Sequence, residues 1–269
     1  MKERLDRIVT ERRLIRSRSR AQRMIMAGRV RADGQTIYRP GHMIDTEAEV
    51  EIVAQEPFVS RGGEKLAPIL DTFRISPRGV TCLDVGSSTG GFTDCLLQRG
   101  ARRVHCVDVG KGQLDWRLRN DPRVVVHEGI NARFLTVEDV GESPELATVD
   151  VSFISLRLVL PPLAPILSSR SSLVVLVKPQ FEAGRDRVER GGVVRNPDVH
   201  TEILEGLHAF VDGATPWSVA AAAHSPLLGP AGNVEFFLLL GAVEDEGDTS
   251  VDLPSVVASA HATLREASS

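Results

Sequence analysis

From residue 80 onward the chain repeats one rhythm: a short apolar run, a turn, then a helical stretch. The runs "VTCLDVG", "RRVHCVDVG", "RVVVHEG", "ATVDVSF" and "SLVVLVKP" each read as a buried strand. Between them lie "GFTDCLLQRG", "GQLDWRLRN" and "SLRLVLPPLAPILSS". That order predicts a parallel sheet covered by helices on both faces. Near the end, "WSVAAAAHSPL" and "NVEFFLLLGAV" follow each other with no helix between them, so this last pair is expected to be antiparallel. A length of 269 residues with 42% hydrophobic content suits one large domain with a smaller companion.

Charge separates the two. Residues 1–40 hold 12 Lys or Arg against four acids, a balance of +8, and the remainder holds 20 against 32, a balance of −12. A basic end on an acidic body points to a docked polyanion. The start, "MKERLDRIVT", lacks an apolar core, so no secretory signal is expected, and no apolar run reaches the roughly 18 residues of a membrane span. Cys82, Cys95 and Cys106 form no ligand spacing, and Cys82 and Cys106 read as small buried hydrophobes. A soluble, reduced, cytoplasmic protein without a metal is expected.

In the basic segment, "RLDRIVTERRLI" places Leu5, Ile8 and Val9 at helical spacing. "SRSRAQRMIMAGRV" reads as a second helix, capped by Ser17 or Ser19, closed by Gly28, and burying Met24 and Ile25. Two short strands joined at Asp33-Gly34 follow, and "EVEIV" reads as one more. Arginine outnumbers lysine eleven to one here, which suits phosphate recognition better than plain solubility.

The first strand of the body runs into "DVGSSTGGFTD", Asp84 to Asp94. Its glycines and small hydroxyl residues, Gly86, Ser87, Ser88, Thr89, Gly90 and Gly91, let backbone approach a ligand before a helix begins at Phe92. It is neither the dinucleotide fingerprint nor a P-loop. The second strand ends in Asp108, 22 residues after Gly86, where an acid can accept bonds from a cofactor ribose. Asn131, beyond the third run, joins this cofactor group. With the antiparallel final pair, the set resembles an S-adenosylmethionine-dependent methyltransferase of the Rossmann-like class. That resemblance implies a class I fold, a seven-stranded sheet with an antiparallel last strand, which the basic segment precedes as a small α+β domain expected to bind RNA.

The strand ends also offer Asp150, Lys178 in "LVKPQFE" and Glu235 in "NVEFF", and the junction "FVSRGGEKL" adds Lys65. Lysine, aspartate, lysine, glutamate in that order resembles the catalytic tetrad of FtsJ-like ribose 2′-O-methyltransferases. A ribose hydroxyl is a weak acid, so its attack on a sulfonium methyl needs a base, and a second ammonium nearby can tune a lysine for that task. Lys178 is expected as the base, with Lys65 positioning the ribose oxygen and Asp150 and Glu235 orienting the pair. Lys65 begins the helix before the first strand, Ser60 caps it, and Arg61 with Gly62 and Gly63 leaves room for RNA backbone. The arginine-rich stretch 181–200 reads as a long loop that clamps substrate.

The basic segment, through Arg4-Leu5-Asp6, Ser17-Arg18, Ala21, Ile25, Gly28-Arg29-Val30 and Gly34, resembles the alpha-L RNA-binding domain. The match implies RNA contact through Arg18, Arg20 and Arg29, to which we add Arg4 and, in the body, Arg61. Together with "SRGGEK", "DVGSSTGGFTD", "VDVSFISL", "KPQFEAGR", "GGVVR" and "GNVEFF", the whole resembles the TlyA family. That family implies S-adenosylmethionine-dependent 2′-O-methylation of ribosomal RNA within ribosomal subunits, in some members at cytidine, and its members are also labelled hemolysins. The expected division is 1–57 for the RNA-binding domain, 58–245 for the methyltransferase domain and 246–269 for a tail without assigned function. Rival readings are a non-catalytic RNA-binding protein, against which the complete tetrad speaks, and a membrane-lytic protein.

Overall fold

A computed structural model describes residues 2–26, 28–52, 57–242 and 251–266, which fall into two compact units divided between Pro57 and Phe58. The joining stretch 53–56 lies outside the described residues.

The first unit begins with strand β1 (Lys2–Arg4), helix α1 (Leu5–Glu11) and helix α2 (Arg18–Met26). Strands β2 (Val30–Ala32), β3 (Gln35–Thr36), β4 (Met43–Asp45) and β5 (Val50–Ile52) complete it. β2 pairs antiparallel with both β3 and β5, and its turn into β3 uses Asp33 and Gly34 at φ 48° and 75°, as the two-residue turn requires. The β1–β4 pair was not expected from the sequence. Leu5, Ile8, Val9, Ala21, Ile25, Val30 and Ile44 form the core. Met24, expected in the buried stripe of α2, is only half buried, and Ala21 takes its place beside Ile25. Ser17 accepts a bond from Arg20 N at 3.4 Å, the capping role expected of it.

The second unit opens with α3 (Arg61–Thr72) and builds a seven-stranded sheet. Its strands are β6 (Thr81–Val85), β7 (Arg103–Asp108), β8 (Val124–Glu128), β9 (Leu146–Val149), β10 (Ser172–Val177), β11 (Trp217–His224) and β12 (Phe236–Ala242). The order is β11-β12-β10-β9-β6-β7-β8, with β8 through β10 pairing in parallel and β12 antiparallel to both neighbours. This is the Rossmann-like methyltransferase arrangement. β6 is buried at every position because alternate residues enter different cores. Cys82 joins the layer under α3 and α4 (Gly91–Gln98). Leu83 and Val85 join the layer under α7 (Leu156–Leu163), α9 (Pro197–Ala214) and α10 (Leu253–Glu266).

Three expectations change. "GQLDWRLRN" yields only one turn of helix, α5 (Trp116–Arg119), after Asp115 caps it. The stretch 181–200 is not a single loop: it contains the end of α8 (Pro179–Glu182), a 3-10 turn, a Glu189–Val193 bridge and the start of α9. Its Arg187 and Arg195 are paired with Glu202 and Glu189 rather than free to clamp. Lastly, the described part of the tail is the helix α10, whose Leu253, Val257 and Ala260 are buried in the main core. The short α6 (Val137–Val140) completes the helices among the described residues.

Candidate active site

The carboxyl ends of β6, β7, β9 and β10 meet at one edge of the sheet, where open parallel sheets place their ligands. After β6 the chain turns sharply at Gly86, φ +85°. A Cβ there would collide with the backbone carbonyl of Asp150, so the glycine lets the end of β9 approach the end of β6. Gly90 and Gly91 are filled in the same way, by Leu118 and by Ser60 with Gly62. The nearest atoms to the missing Cβ positions of these glycines are therefore protein atoms. Gly86, Ser87, Ser88, Thr89 and Gly91 nevertheless line a cleft of about 340 Å³ with Lys65, Phe92 and Asp150.

Asp108 locks the turn. Its carboxylate accepts from Ser88 N at 2.8 Å and Gly110 N at 2.7 Å, which holds Ser88 at a positive φ of 48°. Asp108, Asn131, Ile130, Gln113, Leu158 and Val159 line a second cleft of about 790 Å³, which shares Gly86, Ser88 and Asp150 with the first. An acid at the strand end, a polar turn and an apolar wall fit the ribose, the amino-acid end and the purine of S-adenosylmethionine. Asp84 departs from its cofactor assignment. It is fully buried between Thr93 and Thr148, whose hydroxyls donate to it at 2.6 and 2.9 Å, and it faces neither cleft. Burial pushes its carboxyl up to about 6.

The four expected catalytic residues form two ion pairs. Lys65 Nζ donates to Glu235 Oε2 at 2.5 Å, with both side chains almost wholly buried. Lys178 Nζ lies 2.6 Å from Asp150 Oδ1 and donates to Ser152 Oγ at 2.8 Å. Burial raises the Glu235 carboxyl; the Lys65 and Lys178 ammoniums pull it back and Asp150 pushes it up again, so all four groups share one electrostatic neighbourhood. The sequence points to Asp150 and Glu235 as the groups that orient the two lysines, and each ammonium here sits against one of these carboxylates.

The junction stretch also needs correction. α3 starts at Arg61, so Lys65 is its fifth residue, and Ser60 occupies the cap position without making the capping bond. Gly63 does not leave room for RNA, because its open side is taken by the Phe58 ring, whereas Gly62 packs near Gly91 and Phe92 and lines the smaller cleft. Arg61 donates to the Leu228 carbonyl at 3.2 Å and lines the smaller cleft. In the first unit, Arg4 and Arg18 both contact Asp6, Arg20 is exposed, and Arg29 is half buried.

Two residues were missed. Ser152, which fixes the Lys178 ammonium, had its signal in "DVSF", two places beyond Asp150. Phe153 is 91% exposed, lines the larger cleft, and holds φ at +63°, a strained conformation for a bulky side chain. No group of three or more His, Cys, Asp or Glu suited to a metal occurs among the described residues.

The FtsJ-like methyltransferase model matches residues 58–242 and the S4 domain model matches residues 3–50. The chain is 43% identical over 256 residues to the 16S/23S rRNA (cytidine-2′-O)-methyltransferase TlyA of Mycobacterium tuberculosis, covering 94% of this chain and 95% of that one. It is 40% identical over 235 residues to Hemolysin A of Brachyspira hyodysenteriae, covering 87% and 97%. A solved Streptococcus thermophilus structure named as a hemolysin superimposes with a TM-score of 0.77 at 40% identity, covering 99% of this chain and 98% of that one. Identity of this level along nearly the whole length, through both domains, makes the chain a member of the TlyA family of FtsJ-like methyltransferases.

Proposed function

We propose that the protein methylates the 2′-hydroxyl of a ribose in ribosomal RNA, with S-adenosylmethionine as methyl donor. The observation that carries this reading is the pair of lysine–carboxylate couples beside the turn that joins the two clefts. The cofactor, when bound along Ser88, Asp108 and Asn131, supplies an electrophilic sulfonium methyl. Lys178, aimed by Asp150 and Ser152, first gives up a proton to solvent and then, as the neutral amine, takes the proton from the 2′-hydroxyl as its oxygen attacks. Asp150 then faces the ammonium that results. Lys65, held by buried Glu235, keeps a fixed positive charge where the ribose oxygen becomes anionic.

The nucleoside is cytidine, by analogy with the named mycobacterial relative; that the RNA is met within a ribosomal subunit in the cytoplasm is part of the proposal. The S4 domain, residues 3–50, brings Arg4, Arg18, Arg20 and Arg29 to the RNA, and Arg61 serves at the catalytic cleft. Among the described residues no helix is long and apolar enough to cross a membrane.

The test is to incubate unmodified ribosomal subunits with the protein and labelled S-adenosylmethionine, digest the RNA to nucleosides, and identify the labelled product. The expected product is 2′-O-methylcytidine. Label found only on a base would overturn the reading.

A further inference from the structure

Asp6 stands out in the basic unit because its side chain is wholly buried in a module with a thin core. It is held there by donors from two separate elements. Arg4, at the end of β1, donates through Nε to Oδ1 at 3.0 Å and through Nη2 to Oδ2 at 2.9 Å. Arg18, at the start of α2, reaches Oδ2 through Nε at 3.3 Å, and Gln22, one turn on, adds a bond at 2.9 Å. These contacts use the inner edges of both guanidiniums. Arg4 and Arg18 remain 46% and 56% exposed, with Arg4 Nη1 and both Nη groups of Arg18 left over for another acceptor. The Arg4 guanidinium also lies along the backbone of Gly41, where a Cβ would stand 3.0 Å from Nη1.

An arginine on a free surface surrenders much side-chain entropy when it grips a phosphate. Here two arginines from different elements are already fixed side by side on one buried acceptor. We infer that Asp6 is a positioning residue that assembles Arg4 and Arg18 into a single two-armed receptor for RNA backbone phosphate. This rests on the RNA-docking role of the first unit given above, and deepens it. The inference runs against simple charge counting. An acid inside a basic patch should weaken polyanion binding, so its removal should strengthen binding; preorganisation demands the reverse.

The experiment uses the full-length protein and protein-free ribosomal RNA, titrated over a series of salt concentrations. Asp6→Asn keeps the shape and adds one unit of positive charge. It is expected to bind about tenfold more weakly, the size of one charge-assisted bond, with a salt slope lower by about one. In methylation assays KM for RNA should rise while kcat at saturating RNA stays parental, a split that loss of the methyltransferase fold would not give. Parental or tighter binding by Asp6→Asn overturns the proposal.

Because Asp6→Asn can also loosen the small core, Gly41→Ala provides a second arm. It changes no charge and presses the Arg4 guanidinium out of place by a few tenths of an ångström, so weaker RNA binding at an unchanged melting temperature supports the proposal and parental affinity overturns it. A double variant Arg4→Ala/Arg18→Ala that binds RNA like the parent would overturn both this inference and the docking role of the unit. The methyl-transfer reading, scored by the product nucleoside, would stand.

Discussion

Each unit buries an aspartate completely, and the two are treated in opposite ways. In the small unit, Asp6 is ringed by two guanidiniums, and the Arg4 bond above all holds its carboxyl well below the usual range. In the large unit, Asp84 has only the hydroxyls of Thr93 and Thr148 beside it, and burial raises it to about 6. Burial alone does not decide a carboxylate's charge; the partner does. A thin module can bury a charge only by drawing its counter-ions from the surface, which leaves arginines half exposed and ordered. A two-layer core can bury the group outright, but it must then hold a charge that burial disfavours. The first solution suits docking to a polyanion, and the second serves to tie β6 to α4 and β9 behind the cofactor turn.

That division can be broken most severely at Lys65. Lys65→Ala removes the partner of buried Glu235, and turnover should fall by roughly 10²- to 10⁴-fold while RNA affinity stays parental. A parallel loss of RNA binding would erase the separation between docking and chemistry. Combining it with a change at Lys178 should add little, since residues acting as a unit fail together.

The Asp84 side of the comparison is sharpened by pH. Its folded carboxyl lies at about 6 against an ordinary 3.8, so the native state binds the extra proton between those values. Stability from this group is therefore full below about 4 and declines as pH rises to 6, by roughly 3 kcal/mol. Denaturant unfolding of the parent and of Asp84→Asn across pH 4 to 7 should show that decline in the parent only; identical profiles would contradict it.

On the docking side, Arg20→Ala should weaken RNA binding several-fold and lower the salt slope by about one, with the cofactor affinity unchanged. A smaller effect belongs to Asp108→Asn. The carboxylate that fixes Ser88 and Gly110 is replaced by an amide, and S-adenosylmethionine measured by calorimetry should bind a few-fold less tightly. Equal affinity would remove Asp108 from the cofactor site.

The sheet was legible because its strands are unbroken apolar runs between turn residues, and Asp150, Lys178 and Glu235 because each ends or borders such a run. Their pairing was not legible. Lys65 and Glu235 stand 170 positions apart, and nothing local states that they meet. The same limit explains the glycines: sequence shows that Gly63 or Gly91 has no side chain, but not that Phe58 or Ser60 fills the space. Helix α9 was partly hidden because the arginine- and glycine-rich stretch before it reads as loop, although His200, Ile203, Leu204, Leu207 and Val211 form a clear buried stripe. α10 was hidden by its Ala- and Ser-rich composition, with few large residues to mark its inner face.

The central claim is that Lys178 performs chemistry and neither docks RNA nor holds the cofactor. Parent and Lys178→Ala should be compared on the same unmodified ribosomal subunits, scoring S-adenosylmethionine affinity, RNA affinity and 2′-O-methyl incorporation. Parental values are expected for both affinities, with incorporation lower by roughly 10²-fold or more. Near-parental incorporation by Lys178→Ala would contradict the assignment of the base.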